Sequence, residues 1–239
     1  MQKNIIIKSK DNKFNIYGVL DQRIKTEKLI IFVHGLTGHK NEHQFYNAVS
    51  FFNNKKFATF RFDLYSGEKK GRKLENCEIS TYSEYLNQVI KHFKNKYKNI
   101  FLVGHSLGGS TILEANLKDI AKIVLWDPSV NLTNEDDKEW YYFNKKIGAF
   151  IVSWGPSYIV SNKMIKGWEN FNYSKWISNA TMPLKIICAG RGILKNDWKK
   201  LISQFSNKTN LVVIKEAGHC FDEEDTENKL FQETHSWFK

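Results

Sequence analysis

With 239 residues, 41% hydrophobic and 14% aromatic, the chain can bury a sizeable core, and with three prolines and no repeat or low-complexity stretch it carries no obvious linker. Its 36 Lys and Arg against 25 Asp and Glu give a net charge of +11, but the lysines are scattered in ones and twos, with no helix-turn-helix, zinc-finger or RNA-binding signature, so no nucleic-acid partner is expected. The apolar run before Lys8 is too short for a signal peptide, no run is long enough for a membrane span, and Cys77, Cys188 and Cys220 lack disulfide or metal-ligand spacing; the expectation is a cytoplasmic protein with no metal or organic cofactor.

Ile5-Ile6-Ile7-Lys8 and the run 14–20 flank the turn signal Lys10-Asp11-Asn12-Lys13 and predict an antiparallel hairpin. The pattern then changes to short, mostly apolar runs at 29–33, 58–62, 100–103, 120–126, 184–189 and 211–214, which suit parallel strands buried on both faces. Helices are predicted between them at 44–53, 81–95, after Ser106, at 197–205 and at 224–238. Thr81 and Glu84 have capping-box spacing, and Tyr82, Tyr85, Leu86, Val89 and Phe93 form an apolar stripe. The alternation predicts an α/β fold with a mostly parallel, doubly wound sheet and helices on both faces. Residues 128–182 break the rhythm and crowd aromatics between Trp140 and Trp176. So long an interval is expected to be a lid or small subdomain, most of whose aromatics form its own core.

Gly104-His105-Ser106-Leu107-Gly108, followed by Gly109, lies between the run 100–103 and the helical Thr111-Ile112-Leu113. A serine between glycines at a strand-to-helix turn is the pattern of a nucleophile elbow. A serine hydroxyl needs a base to take its proton and donors for the oxyanion it generates. His219, in Glu216-Ala217-Gly218-His219, follows the last apolar strand and is the best base among seven histidines. Leu107 N–H, directly after the serine, is one expected donor. Leu36 N–H, in the glycine-bracketed loop His34-Gly35-Leu36-Thr37-Gly38, is the other. His34 is expected to brace its loop, Asp63 to tie down 64–67, and Cys220 to act as a small packing residue. The acidic run 222–225 is expected to favour the dipole of the last helix.

Taken together, His34-Gly35-Leu36-Thr37-Gly38-His39-Lys40, Phe60-Arg61-Phe62-Asp63, the stretch around Ser106 and Ala217-Gly218-His219 resemble the alpha/beta-hydrolase superfamily. Within it the chain is most similar to small serine esterases that cleave cinnamoyl and feruloyl esters, relatives of the serine-aminopeptidase-like hydrolases. The resemblance spans nearly the whole chain and implies a hydrolase core at 1–127 and 183–239, with 128–182 a lid inserted after the sixth strand. It also implies cleavage of a small-molecule carboxylic ester through an acyl-enzyme by a Ser-His-Asp triad, the aromatic-rich insertion favouring apolar or aromatic esters. Thioester, acylglycerol or peptide cleavage would use the same machinery, and a non-catalytic binding protein of the same fold is the alternative outside enzymes.

The triad acid departs from the family pattern. In most relatives an aspartate follows the seventh strand after a glycine, where Gly190-Arg191-Gly192-Ile193 places isoleucine. Asp127, directly after the sixth strand, resembles a variant arrangement known in the superfamily and is the first candidate; it also reads as an Asp-Pro turn. Asp197, further along the usual loop, is the second, although Asn196-Asp197 also reads as a helix N-cap.

Overall fold

The computed structural model describes residues 1–132, 140–154, 156–205 and 208–239. The N-terminal hairpin forms as expected, with β1 (Gln2–Lys8) antiparallel to β2 (Asn15–Asp21). Next come β3 (Lys28–Val33), α1 (His43–Asn54), β4 (Ala58–Phe62), α2 (Ile79–Phe93), β5 (Asn99–His105), α3 (Leu107–Glu114) and β6 (Ile120–Trp126). An interposed unit follows: β7 (Tyr141–Asn144), β8 (Ala149–Ser153), β9 (Ser157–Val160), α4 (Asn162–Glu169) and α5 (Tyr173–Asn179). The chain then completes the main sheet with β10 (Leu184–Ala189), α6 (Leu194–Leu201), β11 (Thr209–Ile214) and α7 (Thr226–Phe238).

The eight-stranded sheet has the order β1-β2-β4-β3-β5-β6-β10-β11. Its first two pairings, β1 with β2 and β2 with β4, are antiparallel, and the other five are parallel. Successive β3 residues alternate between two cores, which explains their unbroken apolar character. Leu29, Ile31 and Val33 face the core built by α2, α3 and α6, whereas Ile30 and Phe32 face that of α1 and α7. The second core is rich in rings: Phe32 lies 5.6 Å from Phe45 and 5.8 Å from Trp126, and Phe45 stacks on Trp126 at 5.9 Å. Each such pair adds roughly 0.5–1.5 kcal/mol to what its buried area contributes.

The strands on either side of β3 continue in opposite directions along the chain, β4 to one side and β5 to the other, which makes the β3/β5 boundary a switch point where ligands bind in open α/β sheets. Register aligns the strand ends there. Val33 pairs with Gly104, His105 with Trp126, and Trp126 with Ile187. The next residues, His34, Ser106 and Asp127, therefore leave the sheet at one edge.

The apolar stripe of α2 is buried as its spacing predicts. Its start is not where the capping-box spacing puts it. Glu78 is the N-cap and Thr81 lies inside the helix, because Ile79 packs at the base of α4, 3.0 Å from where a Gly167 β-carbon would stand. Similarly, α6 starts at Leu194, before the expected Asn196-Asp197 cap, since Lys195 Nζ donates to the Gly190 and Gly192 carbonyls at 2.6 Å each and fixes an extra turn. No helix among the described residues is long and apolar enough to cross a membrane.

Between β6 and β10, three short antiparallel strands in the order β7-β8-β9 form a second sheet. α5 ties this unit to α3: Lys175 and Trp176 both bond the Glu114 carboxylate, and Asn179 donates to the Leu113 carbonyl at 3.1 Å. Trp168, Phe171 and Trp176 are buried, as expected of ring-built cores, while Tyr142, Phe143 and Trp154 are exposed. Residues 133–139 of the interval lie outside the described ones.

Candidate active site

Ser106 occupies the turn between β5 and α3 with φ 54° and ψ −127°, a conformation that non-glycine residues rarely adopt and that turns its side chain out of the sheet edge. Close approach of strand and helix permits it. A β-carbon on Gly108 would stand 2.1 Å from the Val33 carbonyl oxygen and 2.6 Å from that of His34, both backbone atoms. Gly108→Ala is therefore expected to separate α3 from β3 and to cost about 4 kcal/mol or more, a loss outside the usual range of single substitutions. Urea denaturation followed by circular dichroism measures it; a midpoint near wild type would show that the loop after β3 yields freely.

That loop passes directly over the serine, since a β-carbon on Gly35 would lie 3.0 Å from Ser106 Cβ. The Leu36 amide makes no hydrogen bond to a described residue. Leu107 N–H likewise makes no hydrogen bond to a described residue, as the first residue of α3, where helical amides have no intrahelical acceptor. Two unpaired amides thus flank Ser106 where the sequence places the oxyanion donors.

His219 and Asp127 meet. His219 Nδ1 lies 2.6 Å from Asp127 Oδ2, and Asp127 Oδ1 accepts the Ala189 amide at 3.0 Å. Asp127 is buried with φ 39°, in the left-handed region that aspartate tolerates better than most residues. The His219 side chain is half exposed, and with Nδ1 donating to the carboxylate its Nε2 is left as the proton acceptor. The Ser106 hydroxyl is 3.3 Å from Ser129 Oγ, its only hydrogen-bond partner among the described residues. Asp197 makes no hydrogen bond to His219; it sits in the first turn of α6, where its charge acts on Tyr173.

Supporting residues fix the loops. His34 Nδ1 donates to the Gly35 carbonyl at 2.8 Å and Nε2 accepts the Leu64 amide at 2.9 Å, so the ring braces the loops after β3 and β4, as expected. Asp63 instead accepts the Lys40 amide at 2.8 Å, bracing the loop after β3 rather than 64–67. His105 Nε2 donates to the His219 carbonyl at 2.8 Å, while its Nδ1 accepts from Gln44 at 3.3 Å. Each imidazole has one donor and one acceptor contact, the pattern of a neutral ring. Burial agrees with this, pushing His34 down to about 4 and His105 to about 3.

Glu223, in the run assigned to the helix dipole, grips the Gly218 amide with both carboxylate oxygens at 2.8 Å and so shapes the His219 turn. Cys220 is exposed rather than packed, because Phe221, at φ 55°, takes the inward position.

Three residues that the motif reading did not single out stand in this site: Ser129, His105 and Glu42. His105 could have been found from its place inside the elbow. Glu42 carries no sequence signal. It ends the loop after β3 and packs on Gly38, its Oε2 is buried without a hydrogen-bond partner among the described residues, and burial raises its carboxyl to about 7 against the opposing pull of His219. Among the described residues no group of His, Cys, Asp and Glu is arranged to hold a metal ion.

None of the curated proteins compared with the sequence matches it. Solved structures do match in fold. Est1E from Butyrivibrio proteoclasticus, with ferulic acid bound, is 18% identical with a TM-score of 0.79, over 98% of this chain and 97% of that one. GrgF, an alpha/beta hydrolase from Penicillium sp. sh18, is 15% identical with a TM-score of 0.79, over 99% and 98%. An esterase domain from Rhodothermus marinus is 16% identical with a TM-score of 0.75, over 99% and 97%. The serine aminopeptidase S33 family matches residues 24–179, which hold β3, the loop that follows it, the Ser106 elbow and Asp127. That stretch is well over half the chain, so the protein belongs to the serine aminopeptidase S33 family of hydrolases and has the alpha/beta-hydrolase fold.

Proposed function

We propose that this protein is a serine hydrolase that cleaves carboxylic esters through an acyl-enzyme, with Ser106 as nucleophile, His219 as general base and Asp127 as the orienting acid. The observation that carries the proposal is the 2.6 Å contact between His219 Nδ1 and the buried Asp127 carboxylate, at the same sheet edge as a serine held at φ 54°. His219 Nε2 takes the Ser106 proton as Oγ attacks the ester carbonyl. The Leu36 and Leu107 amides receive the oxyanion, and each such donor contributes about 2.7–4 kcal/mol to the transition state. His219 then gives its proton to the leaving alcohol, and water repeats the sequence to release the acid. The interposed unit between β6 and β10 serves as a lid, a role supported by its contact with the loop carrying Leu36. Small apolar or aromatic esters suit its aromatic composition. Three free cysteines fit a reducing, cytoplasmic compartment.

A fluorophosphonate probe is expected to label the folded protein once, at Ser106, and not to label Ser106→Ala. Absence of labelling in the folded wild type, by intact mass, would favour the non-catalytic reading. Peptide cleavage is the second reading, favoured by the name of the matching family. p-Nitrophenyl esters are expected to turn over faster than acyl-CoA thioesters or aminoacyl p-nitroanilides. The reverse order would move the assignment to thioester or amide hydrolysis without disturbing the triad.

A further inference from the structure

The interposed unit reaches the oxyanion loop at one point. Trp154, in the turn between β8 and β9, donates its indole N–H to Thr37 Oγ1 at 2.9 Å. Among the described residues this is the only hydrogen bond between that unit and the loop 34–42. Burial does not account for the placement of the indole, which is 44% exposed. A row of rings does: Trp154 lies 5.0 Å from Trp140, and Trp140 5.5 Å from Trp168. Trp168 is buried and donates its own N–H to the Val130 carbonyl at 2.8 Å. The row therefore runs from the oxyanion loop back to the strand end that carries Asp127.

The receiving residue is strained. Thr37 has φ 60°, a region that β-branched residues avoid. Such a conformation persists only where its surroundings over-determine it. Two hydrogen bonds do so here: the Gly38 amide closes the turn on the Gly35 carbonyl at 3.3 Å, and the indole holds the hydroxyl from above. In so tight a turn Thr37 does not move without Leu36, the residue immediately before it.

We propose that Trp154 is a positioning residue: its indole N–H pins Thr37 and thereby fixes the Leu36 amide, so that the oxyanion hole is complete only when the interposed unit is docked. The docking rests on geometry alone, and its catalytic consequence rests on the ester-hydrolase reading. The substrate-binding cap and the stabilisation of the tetrahedral intermediate are then coupled through one side-chain contact.

The test uses the full chain with Trp154→Phe, which keeps the ring and loses the donor, Thr37→Val, which keeps the shape and loses the acceptor, and their combination. With p-nitrophenyl acetate, each single variant is expected to lower kcat by about 10- to 100-fold, the scale of a misplaced catalytic group, with KM within about threefold. The double variant falls no further than the worse single one, because both remove the same contact. Thr37→Ser, which keeps the hydroxyl, stays near wild type. Hydrogen–deuterium exchange across 35–38 speeds up in both single variants at unchanged melting temperature. Unchanged exchange overturns the docking. Faster exchange with unaltered kcat overturns the positioning role, as do multiplicative losses in the double variant. If the wild type is neither labelled nor active, the ester-hydrolase reading fails and takes the positioning role with it, while the exchange result decides the docking independently.

Discussion

Asp127→Asn is expected to lower kcat for p-nitrophenyl esters by about 10⁴-fold, the loss typical of a triad whose acid becomes an amide, while Asp197→Asn stays within about threefold of wild type. The difference follows from position. Asp127 is buried, accepts the Ala189 amide and meets His219 Nδ1 at 2.6 Å, whereas Asp197 lies on α6 and makes no bond to the histidine. An amide at 127 can turn its NH₂ toward His219, which selects the tautomer with Nε2 protonated and removes the base. It also cannot stabilise the imidazolium that forms as Ser106 attacks. Fold is preserved in this comparison, because Asn keeps an oxygen for the Ala189 amide. Steady-state kinetics with matched circular dichroism spectra check it, and a near-normal Asp127→Asn alongside an inactive Asp197→Asn would transfer the acid to α6.

Acid should destabilise this protein from a higher pH than its carboxylates alone would dictate. His34 and His105 are neutral when folded down to about 4 and about 3, but both take up protons below 6.5 once unfolded. The unfolded chain thus binds two more protons across that window, a contribution of about 2.7 kcal/mol of lost stability per pH unit. Glu42 acts in the opposite sense. Its folded carboxyl keeps a proton up to about 7, whereas the unfolded one loses it above 4.5, so acidification from 7 to 4.5 stabilises the fold by about 1.4 kcal/mol per pH unit. The slope from these three groups between pH 6.5 and 4.5 is about one proton, steepening below 4.5 as the Glu42 compensation ends, and His92 and His235, lowered by burial, act in the same direction as His34 and His105. Glu42→Gln should roughly double the slope in the upper window and raise stability above pH 7, where the wild type holds a buried charge. Urea midpoints from pH 8 to 4 measure both, and a wild-type curve that is flat from 7 to 5, or unmoved by the substitution, would remove the assigned protonation states.

Much of the architecture was legible because it is written in local pattern. Parallel strands buried on both faces read as apolar runs, and Leu29 to Val33 could face nothing but two cores. The helix starts differ from the capping signals for two reasons: Ile79 packs against α4, a tertiary contact, and Lys195 reaches back to the carbonyls of the loop just before its helix, a local contact outside the capping pattern. The elbow serine and the histidine after the last strand were legible through spacing and chain order. The sequence offers both Asp127 and Asp197, and that Asp127 is the one in contact with His219 was not legible, since proximity between residues 92 positions apart leaves no local trace. The same limit hid Glu42 and the Trp154 contact. Their significance lies in an unpartnered oxygen and in a bond across 117 residues, neither of which has a periodicity.

The placement of Asp127 at the end of β6 bears on how the enzyme's substrate range could be re-engineered. In an arrangement with the acid after β10, the segment joining β6 to β10 is a detachable module whose junctions are free of catalytic duties. Here its first residues are committed: Asp127 holds His219, Ser129 meets Ser106, the Pro128 carbonyl accepts Trp198 at 2.7 Å and the Val130 carbonyl accepts Trp168. A graft that exchanges this segment for another has to begin beyond Val130 and carry an indole donor to Thr37. The loop Gly190–Ile193 is no freer, because the Arg191 amide donates to the Ala217 carbonyl at 2.9 Å, just before the His219 turn, and a Gly192 β-carbon would lie 3.7 Å from Asp127 Oδ2.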